Sequence, residues 1–298
     1  MWLIYSLLAP FLNSVDSLGE KFLTDKHIEN AIVIVINEGL IYTLFGIVIL
    51  FFHSPSSLSL LQIIALLLSG MFFIYYLIPY FKALKKEETS RVIPLFQFIP
   101  IFVLIMSFLL LGEKISLKQS LGFVFIFLAA FSLTIEKLEG KIFKPRKAFW
   151  YMILSSFLYA LSPILFKLVV VNTDFWTAFF YQAVGGGIGA LSLLSIPSYR
   201  HSTKNEGFRI NIKVWLLMST NQILAIMAEF FSSLAFSLAP VALVSVITGT
   251  QPVFVLILAI ILSKWFPHIV EESLQKKHIL AKAIAIFIII CGICLIYL

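Results

Sequence analysis

Long apolar segments alternate with short polar segments along the whole chain. A helix needs about 20 apolar residues to cross the hydrocarbon core of a bilayer, and ten segments have roughly that length. They are residues 2–22, 31–52, 59–81, 90–111, 116–136, 148–169, 174–196, 213–236, 240–263 and 278–298. The pattern predicts an all-α membrane protein with ten transmembrane helices, called spans 1 to 10 below.

The chain also repeats itself at about half its length. When Pro100 is aligned with Pro252, Ala83 falls opposite Ala235 at the same offset of 152 residues. Many transporters are built by this kind of internal duplication. The repeat predicts that spans 1 to 5 and spans 6 to 10 are two copies of one unit.

A polar segment that contains Gly and Pro separates the two copies. We therefore expect a first five-helix repeat over residues 1–136, a basic linker over 137–147 and a second repeat over 148–298. Because five is an odd number of crossings, a tandem second copy enters the membrane with the opposite topology. The expected architecture is two inverted five-helix repeats around a central cavity.

The distribution of basic residues supports inversion, because cytoplasmic loops carry an excess of Lys and Arg. The loops after spans 1, 3, 5, 7 and 9 contain 19 of the 22 basic residues. The loop after span 3 is basic and its counterpart after span 8 has no basic residue, whereas the loops after spans 2 and 7 differ in the opposite sense. This count places both chain termini outside the cytoplasm.

Composition excludes several classes of protein. Hydrophobic residues make up 60% of the chain and charged residues only 12%, and the mean hydropathy is +1.02. The net charge of +7 comes from short clusters between apolar segments, which favours loops near anionic lipid headgroups over nucleic-acid binding. Cys291 and Cys294 lie inside an apolar segment, which favours packing over redox chemistry.

Several motifs lie between residues 75 and 130. They are the end of span 3 (YFKALKK), the proline-containing span 4, the turn LGEK at 111–114 and the opening of span 5 (SLKQSLG). With these motifs the chain resembles the EamA type of the drug/metabolite transporter superfamily over nearly its whole length. In the second half Ala239-Pro240 and Gln251-Pro252 fit the family pattern, whereas LSKW at 262–265 replaces the Gly-Glu turn.

The resemblance implies ten helices, two inverted repeats and a central substrate cavity. The family includes exporters, importers and exchangers of amino acids, nucleotide derivatives, polyamines and other metabolites. Its members commonly have both termini in the cytoplasm, opposite to the orientation that the loop charges indicate. The absolute orientation is left open between these two indications.

Buried carboxylates are the main candidates for a transport site. Inserting an ionisable group at mid-membrane depth costs roughly 2.5–3.5 kcal/mol, so such groups are usually functional. Glu229 lies inside span 8, with Asn221 and Gln222 on the same helical face. We expect Glu229 to take up a proton or to pair with a cationic substrate; the alternative is a hydrogen-bonded structural glutamate.

Two further carboxylates are candidates for the same site. Glu38 lies in span 2, and its counterpart in the second repeat is Gln182. Matching positions in inverted repeats face one central axis, so both are expected to bind substrate or ion. Asp16 in span 1 is the third candidate, with exposure near a helix end as the alternative.

Proline and glycine mark candidate hinges. Gln97 and Gln251 precede Pro100 and Pro252, and proline kinks a helix because it removes a backbone donor. A kink beside an amide suits a gate or a substrate contact, and equally suits plain bundle packing. Gly186 belongs to the run GGGIG in span 7, which predicts close helix contact and movement during alternating access.

Three other positions carry weaker expectations. Tyr76 is a candidate cavity-lining residue, although aromatic side chains in a chain with 30 Phe usually pack or face lipid. The Glu113-Lys114 turn is expected to be structural, capping span 5 or bridging to a neighbouring loop. Lys167, near a helix end, is expected to extend to the membrane interface.

The sequence thus predicts a secondary active transporter of a small cationic or zwitterionic metabolite, such as an amino acid, a polyamine or a nucleotide-derived compound. No ATPase motif is present, so an ion or solute gradient would drive alternating access, with protons as a candidate coupling ion. A polytopic membrane enzyme or a non-transporting scaffold is the alternative. HExxH, P-loop and paired-aspartate protease motifs are missing from the sequence.

The remaining expectations concern partners and location. We expect no cofactor, no metal and no nucleic acid, because the five His residues are scattered near loops without metal-ligand spacing. Membrane lipid and the small-molecule substrate are the expected partners. The expected state is a monomer or a homodimer in the bacterial inner membrane.

Overall fold

The computed structural model describes residues 1–86, 92–135, 147–207, 210–255, 257–258 and 276–297, and every regular element in these ranges is helical. The helices are α1 (Trp2–Lys26), α2 (Ile32–Ile49), α3 (Leu60–Tyr75), α4 (Leu77–Leu84), α5 (Phe98–Met106), α6 (Leu117–Ile135), α7 (Lys147–Val170), α8 (Phe175–Leu193), α9 (Pro197–Gly207), α10 (Ile212–Leu238), α11 (Val241–Thr248) and α12 (Lys276–Tyr297). The predicted all-α class is confirmed for the described residues.

Length and apolar composition identify candidate membrane spans among the described helices. Four helices qualify: Ile32–Ile49, Leu60–Leu84, Lys147–Val170 and Ile212–Leu238. A fifth is added if α8 and α9, which bend by 98° at their junction, form one broken span. Shorter apolar helices occupy predicted spans 4, 5, 9 and 10. The ten-span count stays a prediction, and the predicted linker lies outside the described residues except for Lys147.

Span 3 is broken at Tyr76, between α3 and α4. The hydroxyl of Ser155 on α7 donates to the Tyr76 carbonyl oxygen at 2.8 Å. One residue on, the Ser156 hydroxyl donates to the carbonyl oxygen of Leu95 at 3.3 Å. The Tyr76 carbonyl oxygen also accepts from the backbone N–H of Tyr80 at 3.3 Å, so the Ser155 hydroxyl adds a second bond there and ties the break to α7.

Span 4 is a composite helix. A 3₁₀ turn (Ile93–Gln97) precedes α5, and a π turn (Ser107–Leu111) follows it. The helix ends at Gly112, whose φ of 66° is the left-handed conformation that glycine adopts without strain. Pro100 therefore lies just after a change of helix type, where the sequence predicts a kink.

Span 9 breaks in the same way. Helix α11 ends at Gly249, and helical structure resumes over 251–255, so Pro252 also follows a break. The two breaks meet: a Cβ added at Gly249 would lie 3.3 Å from Cγ of Pro100. Whether either proline acts as a hinge stays a prediction.

Helices α3 and α8 approach each other at backbone distance, as the GGGIG run predicts. A Cβ added at Gly70 would lie 1.8 Å from the carbonyl oxygen of Gln182, and one at Gly185 would lie 2.2 Å from the carbonyl oxygen of Leu67. Glycine at these positions is what permits the contact. The approach places the polar side chains of α8 among those of α3.

The polar segment after span 7, which the sequence treats as a loop, forms helix α9. The carboxylate of Glu206 near its end accepts hydrogen bonds from the backbone N–H groups of Glu29 and Asn30, just before α2. Negative charge is favourable at a helix N-terminus, where backbone N–H groups lack partners. The loops after spans 1 and 7 are therefore in contact.

Asp174 caps α8 and connects it to the loop after span 2. Its carboxylate accepts from the Thr177 backbone N–H at 2.8 Å and pairs with His53 at 2.8 Å, and the Ser56 hydroxyl also donates to it. Partial burial raises the pKa of Asp174, but the hydrogen bonds from Ser56 and Thr177, together with His53, outweigh it and lower the pKa to about 2.

Asp174→Ala is expected to lower the free energy of unfolding at neutral pH by about 1 kcal/mol, the usual loss for an N-cap. Because the folded-state pKa lies below the ordinary value of about 3.9, ionised Asp174 stabilises the folded state above that pH. This contribution disappears as the pH falls towards about 2. Thermal unfolding of purified protein should therefore show a wild-type advantage at neutral pH that shrinks in acid.

Asp174→Asn is the matched control for this capping prediction. Asparagine caps helices about as well as aspartate but carries no charge, so the variant should keep most of the capping stability without its loss in acid. An Asp174→Ala difference that is the same at neutral and acid pH would contradict the assignment.

Candidate functional site

Glu229 on α10 is the centre of a buried hydrogen-bond cluster. Its side chain is 4% exposed, and Oε1 accepts from Nε2 of Gln182 at 3.2 Å and from the hydroxyl of Ser233 at 3.2 Å. The hydroxyl of Tyr159 on α7 also hydrogen-bonds this carboxyl group. Three helices of the second half, α7, α8 and α10, thus supply donors to one carboxylate.

Gln182 connects this cluster to the first half of the chain. Its Nε2 lies 3.2 Å from the hydroxyl of Ser69 on α3 and 3.4 Å from that of Ser162 on α7. Its Oε1 accepts from Ser233 at 3.3 Å. The close approach of α3 and α8 is what brings Ser69 within reach.

A second polar group lies between α1, α2 and α10. Nδ2 of Asn221 donates to Oδ1 of Asp16 at 2.6 Å and to the Asp16 carbonyl oxygen at 3.1 Å. Nε2 of Gln222 donates to the Ile34 carbonyl oxygen at 2.7 Å, and Asn37 donates to Oε1 of Gln222. Asn221 and Gln222, predicted to share a helical face with Glu229, bind Asp16 and α2 instead of Glu229.

Glu38 lies between the two groups. It is 3% exposed, and its electrostatic neighbours are Glu20 and Glu229. Those of Asp16 are Glu20 and Glu38. The carboxylates therefore form a row from α1 through α2 to α10. The charged groups that act electrostatically on Asp16 and Glu38, among the described residues, are themselves acidic.

Tyrosine side chains line this row. Tyr76 is an electrostatic neighbour of Glu38, Asp16 and Tyr159, and its ring centroid lies 4.9 Å from that of Tyr159. Tyr76 thus lies beside the acidic row. A role in lining a substrate cavity stays a prediction.

Tyr42 on α2 stands out among the buried side chains. It is fully buried, and its electrostatic neighbours are Glu229 and Tyr159. Within the described residues, its hydroxyl is the buried side-chain polar group that has no hydrogen-bond partner. Leaving such a group unpaired costs about 1–3 kcal/mol.

The remaining candidates lie apart from Glu229. Nε2 of Gln97 donates to the Gly249 carbonyl oxygen at 2.9 Å, at the meeting of the broken spans 4 and 9. Gln251 donates to Asn13 and Ser17 on α1. These contacts favour the packing alternative for both glutamines. Gly186 lies against the ring of Tyr42, where an added Cβ would be 2.6 Å from Cδ1.

Glu113 and Lys167 hold the junction between α10 and α11. Oε2 of Glu113 accepts from the Val241 backbone N–H at 2.8 Å, at the start of α11. Nζ of Lys167 donates to the carbonyl oxygens of Phe236 and Ala239 at 2.7 and 3.0 Å, at the end of α10. Lys167 thus caps a helix instead of extending to the interface. Burial raises the pKa of Glu113, although the Val241 hydrogen bond and Lys167 lower it.

Three carboxylates of the acidic row are buried in this conformation, and the fourth, Glu20, is half-buried. Asp16, Glu38, Gln182 and Glu229 are each at most 9% exposed. In the described part of the chain, no three His, Cys, Asp or Glu side chains converge as a metal site would require. The arrangement can hold protons or a small cation by hydrogen bonding and charge.

Sequence reasoning missed four participants. Ser69, Ser162 and Ser233 are single serines in apolar helices, and Tyr42 is one of ten tyrosines. Their contacts depend on helix packing that the sequence does not reveal.

Comparisons with known proteins agree with the helical fold described above. Residues 1–135 match the model of the EamA-like transporter family, as the motifs predict. One crystal structure of a protein aligns with a TM-score of 0.71 and 15% sequence identity, covering 99% of this chain and 95% of its own. At that identity the likeness shows a shared fold alone. No curated protein matches the sequence significantly. The apolar helices and the family match point to an integral membrane transporter.

Proposed function

We propose that the protein is a secondary active transporter that moves a small cationic or zwitterionic metabolite by alternating access. The observation that carries this proposal is the row of buried carboxylates ending at Glu229, which accepts from Gln182 of the second half while Gln182 also donates to Ser69 of the first half. A buried carboxylate needs a partner of opposite charge or a proton. A transported cation or proton supplies that partner at the midplane.

The proposal includes the inverted ten-helix architecture and the two repeats, 1–136 and 148–298. Helix α2 packs against α8, and α6 packs against α12. In each pair the two helices hold matching positions in the predicted repeats. The loop after span 2 contacts the start of α8, and the loop after span 4 contacts the start of α11. Each contact joins two loops that the charge pattern assigns to the same side.

Proton coupling is part of the same proposal. Asp16, Glu20 and Glu38 act on one another electrostatically within the acidic row. Several like charges in one low-dielectric site repel strongly, so protons or a cationic substrate must neutralise them. Exchange of one for the other would couple transport to a proton gradient.

Counterflow in proteoliposomes tests this function. Vesicles loaded with an unlabelled amino acid or polyamine should accumulate the labelled form transiently, and uptake should depend on pH. Empty vesicles prepared in parallel provide the control. If no amino acid, polyamine or nucleotide derivative exchanges under any imposed gradient, the transporter proposal is wrong.

A further inference from the structure

The hydroxyl of Tyr42 is the exception in an otherwise satisfied polar core. Gln182, Ser69, Ser162 and Ser233 all make hydrogen bonds with one another or with Glu229. Tyr42 is fully buried, and within the described residues its oxygen alone among buried side-chain polar atoms lacks a partner. Buried polar groups in proteins are generally paired, so the exception calls for a partner that the protein chain itself does not supply.

Packing fixes the position of this hydroxyl. The ring of Tyr42 lies against Gly186, where even a Cβ would come within 2.6 Å of it. Its centroid lies 5.2 Å from that of Phe73 and 5.6 Å from that of Phe179. The ring is enclosed on these sides, and the electrostatic neighbours of the phenol are Glu229 and Tyr159.

The groups around the unpaired hydroxyl define the chemistry of its partner. Glu229 supplies negative charge, and Tyr42 and Tyr159 supply phenolic oxygens that accept hydrogen bonds. The rings of Tyr42, Phe73 and Tyr76 add aromatic faces, which attract cations. A small cation that carries several N–H donors satisfies all of these groups together.

We propose that Tyr42 and Glu229 together bind a primary ammonium group of the transported substrate. One N–H donates to the Glu229 carboxylate and another donates to the phenolic oxygen of Tyr42. This inference rests on the proposed transport function and specifies the substrate class. A quaternary ammonium has no N–H, so it can use Glu229 and the aromatic faces but gains nothing from the hydroxyl.

Tyr42→Phe tests the assignment, because it removes only the hydroxyl. The probes are n-butylammonium and its N,N,N-trimethyl analogue, with affinities measured by calorimetry on the purified full chain. Wild type should bind n-butylammonium more tightly than the analogue. The variant should bind n-butylammonium about tenfold more weakly, the usual effect of losing one hydrogen bond to a charged group, and should bind the analogue unchanged.

Tyr75→Phe is the matched control for Tyr42→Phe. The Tyr75 hydroxyl is already paired with the hydroxyl of Ser192 at 2.6 Å, so its loss should lower the unfolding temperature and leave both affinities unchanged. Tyr42→Phe should instead unfold at or above the wild-type temperature in the absence of ligand, because the hydroxyl it removes has no partner in the protein.

The possible outcomes separate this inference from the proposed function. Unchanged n-butylammonium affinity in Tyr42→Phe, or equal wild-type affinity for both probes, overturns the ammonium assignment even if counterflow succeeds. Destabilisation of Tyr42→Phe as large as that of Tyr75→Phe indicates a structural partner or resident water and overturns it too. Failure of every solute in counterflow rejects the transporter itself.

Discussion

Glu229→Gln is expected to abolish most substrate exchange and to leave the fold intact. Glutamine has nearly the same size, and its amide oxygen can still accept from Gln182 and Ser233, which contact Oε1 in the wild type. The substitution removes the negative charge that would pair with the substrate or a proton. Hydrogen bonds to charged groups contribute about 1.5–3 kcal/mol, so we expect a loss in exchange rate of roughly 10- to 100-fold.

The measurement is the initial rate of counterflow at equal amounts of reconstituted protein. Glu113→Gln is the control, because Glu113 is a carboxylate outside the acidic row and contacts the start of α11. It should retain most of the wild-type exchange rate. A Glu229→Gln variant that exchanges as fast as wild type would show that the carboxylate takes no part in transport.

Among Gly→Ala substitutions at the described glycines, Gly70→Ala should lower the free energy of unfolding the most. The new Cβ would lie 1.8 Å from the carbonyl oxygen of Gln182 and 2.5 Å from the backbone N of Gly186. Both are backbone atoms of α8, so the helices must separate. Overpacking typically costs about 1–3 kcal/mol and occasionally more, and this contact should reach the upper end of that range.

The measurement for Gly70→Ala is its thermal unfolding midpoint and its yield of monodisperse protein in detergent. Gly207→Ala is the control, since its added Cβ would meet Trp215 only at 3.9 Å. That variant should change the free energy of unfolding by less than about 0.5 kcal/mol, as ordinary surface substitutions do. Wild-type stability in Gly70→Ala would mean that α3 and α8 are not in backbone contact.

The fold was predictable where the pattern is local. Apolar length predicts the helices, and the prolines at 100 and 252 predict the breaks in spans 4 and 9. The helix after span 7 was missed, because its eleven residues, Pro197–Gly207, are mostly polar and carry no apolar periodicity. Its position depends on a tertiary contact, the hydrogen bonds from the backbone just before α2 to Glu206.

The site was predictable only as a set of buried polar residues. The free-energy cost of placing an ionisable group inside the membrane singles out Glu229, Glu38 and Asp16, because such groups are rare in apolar helices. They do not say that Gln182 bonds to Glu229, since that pairing depends on the packing of α8 against α10. The alternatives left open for Gln97 and Gln251 could be weighed only from the structure, in which they bind backbone or α1 side-chain atoms.

We propose above all that Glu229, buried in this conformation, becomes accessible alternately from the two sides of the membrane. Ser233→Cys tests it in a background with Cys291→Ser and Cys294→Ser, because Ser233 is fully buried and bonds to both Gln182 and Glu229. Right-side-out and inside-out vesicles are treated with a membrane-impermeant thiol reagent. We expect the cysteine at position 233 to be labelled from both sides of the membrane, and the exchanged substrate to slow the labelling. A cysteine that reacts from neither side while the protein exchanges substrate would contradict this proposal.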